Sequence, residues 1–175
     1  ETEDNPLVID LSATITPVEG YYKKEGDYIV LTRKGAFYKL AGAKYDLFVQ
    51  VNVDDPGTGD PITLLLEAGS RHELSCFHVE NHSLVVKQTA ASPDEKVRLK
   101  LTGHTGPSII VKSGASLDIR GPMSMECLGY IEAEGSLTWE NEVVIGYLST
   151  YFGLHNSYVT SWSLAGDALL RDLTV

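Results

Sequence analysis

The feature that most restricts what this chain can fold into is a repeat in its second half. Lys112-Ser113-Gly114-Ala115-Ser116-Leu117-Asp118-Ile119 is echoed by Glu132-Ala133-Glu134-Gly135-Ser136-Leu137-Thr138-Trp139, and more faintly by Gly153-Leu154-His155-Asn156-Ser157-Tyr158-Val159-Thr160. Ser116, Ser136 and Ser157 therefore recur at about 20 residues, a period at which short units stack and bury their apolar faces against one another. Ile110-Val111, Tyr130-Ile131 and Tyr151-Phe152 precede the three units in matching places. An earlier echo, Val79-Glu80-Asn81-His82-Ser83-Leu84-Val85-Val86, comes before them, with a longer connection through Pro93. Stacking predicts one internal column of Leu117, Leu137 and Tyr158, with Ser116, Ser136 and Ser157 outside it or at the bend.

The rest of the chain agrees with an all-β reading. Windows that sustain the i, i+3, i+4 apolar spacing of a helix are scarce, whereas short Val, Ile, Leu and Tyr runs bounded by Gly, Pro, Ser and Asp recur throughout. Strands are expected at 7–11, 28–32, 36–40, 47–53, 62–67, 76–79, 84–88, 97–101, 109–112, 117–120, 124–127, 130–133, 137–140, 143–147 and 157–162. Asp54-Asp55-Pro56-Gly57-Thr58-Gly59-Asp60-Pro61 and Ala90-Ala91-Ser92-Pro93-Asp94-Glu95 read as surface loops, because their prolines remove ladder donors and the glycines of the first permit positive φ.

With 175 residues, 43% of them hydrophobic, the chain can bury one sizeable core. The expected organisation is an acidic N-terminal tether over residues 1–6 and a single β domain over 7–175. Fourteen Lys and Arg against 24 Asp and Glu give a formal charge of -10, which repels phosphate backbones and argues against nucleic acid as a partner. No apolar run reaches the ~20 residues of a membrane-spanning helix. Cys76 and Cys127 are too few for a disulfide framework. They read as buried apolar side chains or as a single bridge.

Three stretches carry a resemblance: Gly26-Asp27-Tyr28-Ile29-Val30-Leu31-Thr32-Arg33-Lys34-Gly35-Ala36-Phe37-Tyr38-Lys39-Leu40-Ala41-Gly42, Pro61-Ile62-Thr63-Leu64-Leu65-Leu66-Glu67, and Ser108-Ile109-Ile110-Val111-Lys112-Ser113-Gly114-Ala115-Ser116-Leu117-Asp118-Ile119. Across about residues 26 to 140 the chain resembles the secreted bacterial β-helical surface proteins described as carbohydrate-binding. The resemblance implies a secreted or cell-surface protein with a polysaccharide or surface glycan as ligand, and it transfers no catalytic residue.

Several clusters offer chemistry. His78, Glu80 and His82, with His72 and Glu73 nearby, would suit an open zinc site if one strand face carried them, although Asn81-His82 is turn-like and would break that face. Asp54, Asp55 and Asp60 supply oxygens of the kind calcium takes, without an EF-hand spacing. Glu132, Glu134, Glu140 and Glu142 are dense enough to supply the carboxylate pair of a glycosidase, but dense acids are expected on the surface of so acidic a chain. Each is read as ordinary surface, and no catalytic residue, metal or cofactor is assigned. Tyr147, Tyr151, Tyr158 and Trp162, with Phe152, concentrate aromatic rings near the C-terminus. Such rings either stack on sugar faces or seal the open end of a stacked fold.

The expected fold is thus a short right-handed parallel β-helix with an N-terminal lead-in over 28–53 that pairs antiparallel across the first turn. An antiparallel β-sandwich of jelly-roll type is the alternative. The expected function is a non-enzymatic glycan-binding or adhesive module, with Tyr147, Tyr151, Tyr158 and Trp162 as the ligand-binding residues. A self-associating subunit of a surface layer, spike or fibre is the alternative, and a polysaccharide-acting enzyme the minority reading.

Overall fold

A computed structural model describes residues 1–89, 95–104 and 106–139, together with the backbone of strands within 143–148, 161–164 and 169–170. Among these residues there is no helix, and the strands, numbered in chain order, form three sheets. The first sheet runs β1 (Leu7–Asp10), β4 (Phe37–Ala41), β6 (Ile62–Leu66), β9 (Ser83–Gln88), β12 (Ser116–Ile119), β15 (Ser136–Trp139) and β17 (Ser161–Leu164). The second contains β7 (Arg71–Leu74), β10 (Val97–Leu101), β13 (Met123–Cys127), β16 (Val143–Leu148) and β18 (Leu169–Leu170). The third contains β2 (Tyr22–Glu25), β3 (Tyr28–Leu31), β5 (Phe48–Val51), β8 (Cys76–Val79), β11 (Pro107–Val111) and β14 (Tyr130–Ala133). Every pairing is parallel except that of β2 with β3. From β7 to β15 the chain visits the second, third and first sheets in strict rotation.

Parallel pairing in register turns the sequence repeat into columns. Leu117 lies between Leu84 and Leu137, and all three are fully buried. Further along the same strands, Leu64, Val86, Ile119 and Trp139 form a second buried column. Burial alternates along β12, β14 and β15, as expected of strands with one apolar face. The expected neighbours Ser116 and Ser136 do pair, with Ser83 on the other side, and the Ser116 hydroxyl donates to Ser83 Oγ at 2.7 Å. β6 departs from alternation because all five of its residues are buried. Leu65 stands outside the core cluster with Lys39 and Lys87 as its register neighbours, residues whose aliphatic stems suit covering an apolar side chain. Glu67 holds the Lys39 head at 3.2 Å and Glu3 the Lys87 head at 2.8 Å.

The structure corrects the third echo. Ser136 pairs with Ser161 and Leu137 with Trp162, so Ser161 and Trp162 hold the positions expected of Ser157 and Tyr158. The column therefore advances in unequal steps, from Leu84 to Leu117, then to Leu137, then to Trp162. Ser157 and Tyr158 lie outside the described residues, as do Tyr151 and Phe152. The match of Ile110-Val111 with Tyr130-Ile131 is also displaced, since Ile110 pairs with Glu132 and Val111 with Ala133. The turn from Ala133 to Ser136 is tighter than the turn from Val111 to Ser116, and Gly135 makes that possible. A Cβ at Gly135 would stand 2.3 Å from the Ala115 carbonyl oxygen and 2.5 Å from that of Lys112. At the other end of the strand the register shifts at a bulge between Pro107 and Ile109. There the buried Ser108 hydroxyl donates to Leu101 O at 3.0 Å and accepts from Gly129 N at 2.8 Å.

Other differences lie at the N-terminal side. β2 and β7 were not foreseen, because Tyr22-Lys23-Lys24-Glu25 and Arg71-His72-Glu73-Leu74 are too polar to announce strands. The antiparallel pair is β2 with β3, whereas β3 and β5 already belong to the parallel array. Parallel pairing throughout the other strands rules out the antiparallel sandwich over the described residues. Residues 1–6 fold back, with Thr2 and Asn5 exchanging backbone hydrogen bonds of 3.3 and 3.1 Å. Ile15, Val18, Tyr21 and the buried Tyr22 pack against the core beside the outermost strands β1 and β2. Both cysteines are free and buried, and burial pushes the Cys127 thiol up to about 12.

Close stacking at glycine corners yields a comparison. A Cβ at Gly129 would meet Gly106 O at 2.2 Å, whereas one at Gly114 would meet nothing within 4 Å and would suffer only its φ of +80°. Gly114→Ala should cost about 1–2 kcal/mol, the strain of a left-handed residue. Gly129→Ala should cost clearly more, because backbone must move. Urea denaturation of the two variants measures the difference, and equal losses would contradict the stacking at this corner.

Candidate functional site

Strand alternation leaves β7, β10 and β13 with one row of side chains in the core and one outside. His72, Leu99 and Met125 form a buried row, while Arg71, Arg98 and Ser124 are one outer row and Glu73, Lys100 and Glu126 the next. Neighbouring strands stand ~4.8 Å apart and alternate positions along a strand ~6.6 Å apart, which sets the mesh of this surface. The short Ser124 beside Arg98 leaves a depression of about 250 Å³ floored by both rows. A second recess of about 780 Å³, walled by Gly69, Glu95 and Lys96, shares Arg71, Arg98 and Ser124 with it.

Charges within this groove are unevenly matched. Lys100 Nζ lies 3.5 Å from Glu73 Oε1 and has Glu126 as its other register neighbour. Arg71 and Arg98 are exposed register neighbours, and no carboxylate of the described residues lies within 4.0 Å of either guanidinium or of Lys96. The arrangement provides two guanidiniums and a serine hydroxyl in one row, and two carboxylates flanking an ammonium in the next.

Histidines expected to share a face are dispersed. His78 Nε2 meets Glu80 Oε2 at 2.8 Å on the outside of β8. His82 sits in a turn with φ 66°, so the shared face is broken as its Asn81-His82 dipeptide suggested. Its ring lies under the 54–61 loop, with Pro56 O 3.2 Å from Nδ1 and Asp60 O 2.8 Å from Nε2. Asp55 pairs with Lys34 at 3.7 Å, and Gly35 N donates to Asp60 O. This acidic loop is therefore tied down by its own neighbours. Among the described residues no three His, Cys, Asp or Glu side chains are grouped as a metal ion requires. Glu132 and Glu134 lie at β14 and the turn after it, while Glu140 and Glu142 fall outside the described residues.

Of the aromatic residues expected to bind ligand, Tyr151 and Tyr158 lie outside the described residues, and the other two are placed by backbone alone. Tyr147 is the register partner of Glu126 and so extends the Glu73–Lys100–Glu126 row by one strand. Trp162 is the register partner of Leu137, in another sheet and in the column that is buried at Leu84, Leu117 and Leu137. The groove itself was missed in the sequence. Arg71, Arg98 and Ser124 are far apart along the chain, each on a successive strand of the second sheet, and no motif joins them.

His72, beneath the groove, gives the site a pH dependence. Burial pushes its pKa below the ordinary 6.5, and the ring lies with Nδ1 3.0 Å from Gly42 O and Nε2 2.6 Å from the Ser70 hydroxyl, which itself donates to Glu67 O. Burial lowers His78 as well, against the pull of Glu80. Below pH ~6.5 the unfolded chain therefore binds protons that the folded chain refuses, so this share of stability is present above that pH and lost as pH falls. Melting temperatures recorded from pH 7.5 to 5 should decline, and His72→Gln should show a shallower decline than the wild type over that window. Identical slopes would remove His72 from this account.

No family model matches the chain, and no curated protein or solved structure matches it.

Proposed function

We propose that this is a non-catalytic binding module of the secreted or cell-surface kind, built as a short right-handed parallel β-helix, which takes a glycan along the outer face of β7, β10, β13 and β16. The coil is supported by the rotation of the chain through three sheets in a fixed order, and its hand follows from the general preference of parallel crossovers. Ile15, Val18, Tyr21 and Tyr22 would then cover its first turn.

The observation that carries the functional reading is the groove. Its outer rows repeat donors and acceptors at strand spacing, so successive strands present a chain ligand with a ladder of similar contacts. Polymers of sugars have the matching property, with hydroxyls at regular intervals along an extended chain. β16 continues the sheet one strand beyond β13, with Tyr147 as the register partner of Glu126, and tyrosine is a residue type that stacks on sugar faces. The large hydrophobic side chains exposed among the described residues are Val8 and Tyr45. The lateral surface thus offers mainly polar contacts, which suits a wet glycan better than the apolar seam of a fibre or layer subunit.

Tyr147 and Trp162 lie in different sheets, which supports giving them different roles. Trp162→Ala should lower stability by about 3–5 kcal/mol, as for a core aromatic, and leave binding per folded molecule intact. Tyr147→Ala should keep its melting temperature and weaken binding. A screen of immobilised neutral and acidic polysaccharides with thermal melts on each protein measures both, and sedimentation of the wild type tests the assembly reading. A wild type that binds no glycan and self-associates at micromolar concentration overturns the proposal in favour of a structural subunit.

A further inference from the structure

The two guanidiniums of the groove are not explained by stability. Arg71 and Arg98 are neighbours on paired strands, where like charges repel, and among the described residues they and Lys96 have no carboxylate partner, although the chain's acids outnumber its bases by 24 to 14. Three cations, Arg71, Arg98 and Lys96, against one carboxylate, Glu95, line this recess, a local positive excess in a chain of net charge -10. An exposed guanidinium with its donors free matches a planar carboxylate or a sulfate oxygen pair bidentately.

We propose that Arg71, Arg98 and Lys96 hold the acidic group, a carboxylate or a sulfate ester, of an anionic sugar in the polysaccharide ligand. The inference rests on the glycan reading above and narrows it to acidic polymers. The geometry favours a saccharide over a polyphosphate. The cationic row Arg71–Arg98–Ser124 lies only ~6.6 Å from Glu73–Lys100–Glu126, where carboxylates accept hydrogen bonds from neutral hydroxyls but repel a second anion. A uronate or sulfated ring has that polarity, with its acid on one edge and hydroxyls on the other. A nucleic acid, with a phosphate at every residue, would set anions against Glu73 and Glu126.

Binding of the full chain should be measured by titration calorimetry against a polyuronate, the same polymer methyl-esterified, a sulfated dextran, unmodified dextran and a single-stranded DNA oligonucleotide. The wild type should bind the polyuronate, the sulfated dextran or both more tightly than their neutral counterparts, and the preferred partner identifies the acid. Arg71→Gln and Arg98→Gln should each weaken that binding roughly tenfold, the loss of one charge-assisted contact, with unchanged melting curves. Lys23→Gln, an exposed cation on β2, should bind as the wild type does. Equal binding of neutral and acidic polymers, or full binding by both arginine variants, overturns the acidic specificity and leaves the glycan reading standing. Binding of DNA as tight as that of the polyuronate overturns it too, as a general polyanion surface. Binding of no polysaccharide at all overturns the glycan reading itself.

Discussion

The structure depends on parallel strands held in step, with apolar columns running across them. A one-place shift in either pairing of β12 would turn Leu117 outward and leave Leu84 and Leu137 facing a polar side chain. Because each column spans many strands, the error would expose apolar surface on both neighbours as well as on the strand that slipped. Register is therefore fixed by burial, and connections of very different length are tolerated as long as the strands between them keep their place. The unequal steps along the column from Leu84 through Leu117 and Leu137 to Trp162 express this freedom.

Turns make that freedom possible, and their chemistry varies from corner to corner. Gly103 and Gly129 approach so closely that a Cβ on Gly103 would lie 2.6 Å from Gly129 Cα, and one on Gly129 would lie 2.9 Å from Gly103 Cα. Asn81 instead joins the connections after β5 and β8 through its amide, accepting from Val53 N at 2.8 Å and donating to Val53 O and Asn52 Oδ1 at 3.0 Å each. Ser108 fills a bulge and satisfies Gly129 N. The side-chain devices close backbone hydrogen bonds that the change of direction would otherwise leave open.

These differences set how far the sequence could be read. The column Ser83–Ser116–Ser136 was legible because strand residues are chosen for burial, and burial leaves a period. The third member was misplaced because Ser157 lies nearer than Ser161 to a repeat of the step from Ser116 to Ser136, and nothing in the sequence forces two connections to be equally long. β7 was invisible for a related reason. Arg71 and Glu73 occupy its outer face, so only His72 and Leu74 mark the core side, and a buried histidine does not read as apolar. The groove could not be found at all, since its outer row is assembled by pairing of strands that have two other strands between them in the chain. A sequence search for local clusters selects rings or acids that are near in the chain, such as those between 147 and 162, whether or not the fold brings them together.

The same division explains why a binding function would sit on the side of this fold. Core columns and glycine corners carry the stability, and exposed outer positions contribute little to it, with surface substitutions usually changing stability by no more than about 0.5 kcal/mol. Arg71, Arg98 and Ser124 can therefore be chosen for a ligand with small consequence for the columns beneath. His72 is the exception within this arrangement, because it belongs to the buried row directly under the groove and reaches to Gly42, on the connection after β4. Protonating it would disturb the row that holds Arg71 and Glu73 at their spacing, so acid should act on this face by loosening its floor.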